Sequence, residues 1–110
     1  MPPENPPNVD KSARWQKLVD QNPDNELARY SLGSAFFEAG RFADAEPHFR
    51  RALELKDDWV LAYIFRARCL IKLGRASEAK PLLAKGREHS IRQHHDAPVE
   101  EIDALLAELP

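Results

Sequence analysis

Cys69 is the only cysteine in a chain of 110 residues, which excludes an intramolecular disulfide. One thiol with four scattered histidines also lacks the paired spacing of a structural zinc site. Such a chain suits a reducing compartment, and a cytoplasmic location is expected. No apolar run approaches the ~18 residues needed to cross a bilayer. The opening MPPENPPNV has neither a basic leader nor an apolar stretch, so secretion and membrane insertion are not expected. A dominant charge is missing too: sixteen Lys and Arg against eighteen Asp and Glu leave −2, which disfavours nucleic acid and anionic membrane as partners. Glycine is scarce at four residues and β-branched runs are absent, so strands have little to build on.

What is present is helix. The composition, 43% apolar and 31% charged, is that of one soluble domain, and the length is too short for two. Ala, Leu, Arg and Glu recur at helical spacing, which predicts an all-α chain. Residues 1–10 differ: Pro2, Pro3, Pro6 and Pro7 remove backbone donors and fix φ, so an extended, disordered tail is expected there. The punctuation then predicts helices over 12–21, 25–39, 42–55, 59–73, 76–90 and 98–108, with Asn25 or Asp24, Asp58 and Asp96 as capping residues. In the last helix, Glu100 and Glu101 suit the first-turn dipole, and Val99, Ile102, Leu106 and Leu109 make an apolar stripe.

The strongest signal is internal repetition. FEAGRFADAEPHFRRAL laid over IKLGRASEAKPLLAKGR shares G-R-x-x-x-A-x-P, with Gly40 and Gly74, Arg41 and Arg75, Ala45 and Ala79, and Pro47 and Pro81 each 34 residues apart. A period of that length means stacked helix pairs, one pair per period. It divides 11–110 into a half repeat at 11–22, repeats at 24–57 and 58–91, and a capping helix at 97–109 that shields the open end of the stack. Small residues at Gly33, Ala45, Ala67 and Ala79 let the paired helices cross closely, while Phe36, Phe49, Leu70 and Leu83 fill the space beside them. Gly40 and Gly74 follow the first helix of each pair, where a left-handed turn is cheapest for glycine.

In the first copy, Arg29-x2-Leu32-Gly33-x2-Phe36 followed by Ala45-x3-Phe49 resembles the tetratricopeptide repeat, and Tyr63-x2-Arg66-Ala67-x2-Leu70 with Ala79-x3-Leu83 answers it in the second. The resemblance covers roughly residues 11–91 and implies an α-solenoid of antiparallel helix pairs wound as a right-handed superhelix. Arg29, Arg66, Gly86, Asp57 and Ile91 depart from the pattern, and looser packing of the second repeat is expected from them.

The resemblance also implies a non-catalytic protein-interaction module whose first helices line a concave groove for a partner's peptide. The residues placed there are Tyr30, Ser34 and Phe37 from the first repeat and Ile64, Phe65, Arg68 and Lys72 from the second. Leu27, Leu61, Ile64 and Ile71 are equally assignable to packing between helices. The two cations suggest an acidic segment as partner. The Lys and Asn residues with which some tetratricopeptide domains clamp acidic chaperone tails are absent, since Tyr30, Ser34 and Phe65 occupy those positions.

No catalytic, cofactor or metal residue is expected. His89, His94, His95 and Asp96 straddle a loop without the i, i+4 pairing of a zinc motif, and Cys69 sits mid-helix beside Leu70 with no activating base in view. Charge is segregated: residues 41–92 hold twelve basic and seven acidic side chains, whereas residues 93–110 hold five acidic and none basic. The last helix is therefore a rival for the basic second repeat as well as a cap. A second reading makes the chain a self-associating scaffold, a homo-oligomer docked through Trp15, Leu18 and Val19.

Overall fold

The computed structural model describes residues 11–110, and the expected proline-rich tail at 1–10 lies outside the described residues. Among the described residues six helices follow one another: α1 Ser12–Gln21, α2 Glu26–Glu38, α3 Phe42–Leu55, α4 Val60–Lys72, α5 Ala76–Arg92 and α6 Asp96–Glu108. No strand occurs among the described residues. Each helix packs on the next across a short loop, which makes neighbours antiparallel. Beyond these neighbours, α2 touches α4 and α4 touches α6, while α1, α3 and α5 do not meet one another. The stack therefore curves with α2, α4 and α6 on its inner side, an all-α helical-repeat solenoid.

The turns show why the repeat is regular. At Gly40 (φ 76°), Arg41 N–H donates to the Phe36 carbonyl at 2.8 Å and Gly40 N–H to the Phe37 carbonyl at 3.0 Å. Gly74 (φ 75°) repeats the pair through Arg75 to Leu70 and Gly74 to Ile71. These are paired bonds that close a helix around a left-handed residue. The same closure ends α5, but there the left-handed residue is His94 at φ 58°. Sequence punctuation had no glycine to mark it, and α5 runs to Arg92 rather than 90.

Of the expected caps, Asn25 accepts from Ala28 N–H at 3.0 Å. Asp58 does not cap α4; it pairs with Lys56 at 3.2 Å, and Trp59 holds the cap position. Asp96 does not cap α6, which begins two residues earlier than expected: His95 holds the cap position, Asp96 lies in the first turn, and Pro98 is third in the helix where the missing donor costs nothing.

Two main clusters form the core. Val19, Ala28, Leu32, Phe36, Ala45 and Phe49 join α1, α2 and α3, and Val60, Ile64, Ala67, Leu70, Leu83 and Ile102 join α4, α5 and α6. The expected looseness of the second repeat is overturned. Ala67, Leu70, Ala79 and Leu83 are all fully buried, and a Cβ at Gly86 would lie 2.9 Å from the Cβ of Tyr63. Gly86 stands where alanine is usual because Tyr63 takes the space. Arg66 Nε stands 3.8 Å from Oε2 of the buried Glu46 carboxylate, an ion pair in which neither atom has a hydrogen-bond partner among the described residues, and the other carboxylate oxygen receives Arg50 at 3.4 Å.

Candidate functional site

Residues three and four apart on a helix share a face, so the inner side of the solenoid is read directly from α2 and α4. Tyr30 is half-buried there. Its ring stacks on Trp59 at 4.4 Å and meets Phe49 edge-on at 5.7 Å. Burial pushes its phenol up, and a hydrogen bond with Ser34 works against that shift. Tyr30 and Ser34 border a cleft of about 290 Å³ with Trp15 and Lys11 of the α1 side and Glu38 of α2.

A second cleft, of about 240 Å³, is lined by Phe37, Arg68, Ile71 and Lys72, with Leu105 and Glu108 of α6 as its far wall. Phe37 is braced edge-on by Phe42 and Phe65, each at 5.2 Å. Lys72 Nζ stands 6.0 Å from the centre of the Phe42 ring. Arg68 is half-buried and donates through one amino group to Glu101 of α6, while its Nε is buried with no hydrogen-bond partner among the described residues. This cleft joins a cationic pair to an apolar floor.

Of the residues assigned to the groove, Ile64 lies elsewhere and Phe65 stands at the edge. Ile64 is 1% exposed because α6 covers it, placing it in one cluster with the fully buried Ile102. Phe65 is half-buried: it stacks on Phe49 at 5.6 Å and meets Tyr30 and Phe37 edge-on at 6.2 and 5.2 Å, so it joins the groove wall to the core behind it. Helical spacing separates faces only to within one residue, and Phe65 sits at the border. Conversely, Glu101, Leu105 and Glu108 reach the groove from α6. Their signal was the wholly acidic charge of residues 93–110. Near the α3–α4 and α5–α6 loops, Trp59, Leu61, His95 and Pro98 border a further cleft of about 330 Å³.

Cys69 is fully buried, and desolvation, with the Glu46 carboxylate adding to it, pushes its thiol up to about 12. It stays protonated at neutral pH and is no nucleophile. Among the described residues no group of three His, Cys, Asp or Glu is placed to hold a metal ion. No described helix is long and apolar enough to cross a membrane.

Comparison with known proteins places the repeat in a family context. Two tetratricopeptide repeat models match, one over residues 36–90 and one over residues 12–59. DnaJ homolog subfamily C member 3 of Rattus norvegicus is 35% identical over 72 residues, which is 66% of this chain and 14% of that protein. The Homo sapiens protein of that name is 31% identical over the same length. The Vi polysaccharide export protein VexE of Salmonella typhi is 34% identical over 79 residues, 68% of this chain and 11% of that protein. The chain thus spans a small part of the curated relatives it matches.

Proposed function

The chain belongs to the tetratricopeptide repeat family, whose repeats mediate protein–protein interaction and are typically non-catalytic, and from that premise we propose that it binds a peptide segment of a protein partner on the inner face of α2 and α4. The observation that carries this reading is the cleft in which Arg68 and Lys72 stand beside Phe37, Ile71 and Leu105. A floor of rings and aliphatics supplies the area that leaves water on binding, and two cations at its edge supply direction and a preference for carboxylates. Tyr30 and Ser34 extend the same face toward α1. The pairing of aromatic floor and fixed cations suits a short extended or helical segment. Its acidity, and a cytoplasmic setting in keeping with the lone buried Cys69, belong to this proposal.

The test is amide chemical-shift mapping on the labelled protein with pooled short peptides. Shifts are expected at Ser34, Phe37, Arg68 and Lys72. Shifts confined to the outward faces of α3 and α5 would refute the groove.

A further inference from the structure

The inner face is already touched by a segment of the same chain. Along α6, Glu101, Leu105 and Glu108 are spaced by four and three residues and so lie on one side of the helix. That side faces α4: Glu101 accepts from Arg68, and Leu105 and Glu108 line the cleft with Lys72 and Ile71. One carboxylate of α6, Glu101, thus pairs with Arg68, while Glu108 and Leu105 border one cleft with Lys72 above the apolar floor of Phe37 and Ile71.

The ion pair is not what holds α6 in place. Ile102 is fully buried against α4 and α5, a Cβ at Gly86 would stand only 3.6 Å from its methyl, and Leu105, Leu106 and Leu109 pack on the same cluster. Arg87 clasps Asp103 at 2.7 Å on the α5 side, and Lys80 reaches the Pro110 carbonyl. Arg68 and Glu101 are each more than a third exposed, and a pair exposed to that degree contributes little to stability. Arg68 remains incompletely satisfied, with its Nε unpartnered among the described residues. A carboxylate forking across the guanidinium would complete it.

We propose that Glu101 is an internal stand-in for a ligand carboxylate, and that the cleft between α2, α4 and α6 takes an acidic and aliphatic segment of a protein partner whose carboxylate displaces Glu101 from Arg68. This rests on the groove reading and adds to it the chemistry of the segment and a built-in competitor. Lys72 receives a second carboxylate of the segment, and its aliphatic or aromatic side chain lies on Phe37 and Ile71. While Glu101 holds Arg68, only the fraction of molecules with Arg68 free is competent. Apparent affinity falls by that fraction.

The probes are two pools of fluorescein-labelled octapeptides, one randomised over Glu, Asp, Leu and Phe and the other over Gln, Asn, Leu and Phe, measured by anisotropy against the whole chain. Glu101→Gln keeps size and hydrogen bonding while removing the competing charge, and the docking of Ile102 keeps α6 folded, checked by an unchanged melting temperature. It is expected to tighten the acidic pool by about five-fold and leave the neutral pool unchanged. Arg68→Gln and Lys72→Gln are each expected to weaken the acidic pool by about ten-fold or more, and to erase its advantage over the neutral pool. Equal binding of the acidic pool by the parent chain and Glu101→Gln overturns the stand-in while leaving the groove reading intact. A preference for the neutral pool overturns the acidic segment. Binding of neither pool by any variant overturns the groove reading and this proposal with it.

Discussion

The Cβ of Tyr63 occupies the space that a side chain at Gly86 would need: a Cβ built on Gly86 falls 2.9 Å from it, closer than two carbons pack. The contact sets how near α5 comes to α4. Because the obstacle is the root of the tyrosine and not its tip, rotation of the ring cannot relieve it.

Gly86→Ala is therefore expected to lower stability by about 1–2 kcal/mol, the strain of overpacking exceeding the ~1 kcal/mol that alanine gains inside a helix. Urea denaturation gives the sign. A more stable variant would mean that the helices separate without cost.

Phe49→Ala is expected to destabilise by about 3–5 kcal/mol, as a fully buried ring whose removal leaves a cavity against Gly33 and Tyr30. Tyr30→Ala is expected to cost about 2 kcal/mol, because Tyr30 stacks on Trp59 and meets two further rings while one side faces the cleft. Denaturation midpoints order the two, and a loss from Tyr30→Ala as large as that from Phe49→Ala would remove Tyr30 from the open face.

His94→Gly is expected to raise the melting temperature by about 2–5 °C. His94 holds φ at 58° to close α5, a conformation that is cheap for glycine and strained for other residues. A lowered melting temperature would show that the imidazole contributes more than the backbone strain removes.

The Cys69 thiol is expected to resist Ellman's reagent at pH 8 in the folded protein and to react on unfolding, since burial pushes its pKa from 9.0 up to about 12. The sign of the linkage follows. Below pH 9 both states keep the proton and the contribution is complete; between about 9 and 12 the unfolded chain ionises first, so stability falls as pH rises. The phenols of Tyr30 and Tyr63, also held up by burial, act in the same sense. Comparison with Cys69→Ala isolates the thiol: a variant whose alkaline loss equals that of the parent chain would show the thiol to be uncoupled from folding.

The inner face of the solenoid was legible only in part. Ser34, Phe37, Arg68 and Lys72 could be placed from spacing along their own helices, because a 3.6-residue period needs no knowledge of the neighbours. Ile64 and Phe65 could not, since whether a side chain at the edge of a face is open depends on the helix packed beside it. Here the first is sealed in the core that α6 completes, and the second is only partly covered by the Phe49 ring.

Local rules alone determined the helical character, the 34-residue period, the turns at Gly40 and Gly74 and the small residues at the helix crossings, because each is encoded by spacing or by a backbone conformation confined to a few residue types. Tertiary structure decided the rest. The closeness of α5 to α4 at Gly86, the pairing of Arg66 with the buried Glu46, and the reach of Glu101 to Arg68 join residues from different helices. Such contacts depend on the distance and rotation between helices, which many side chains set together and no local pattern records.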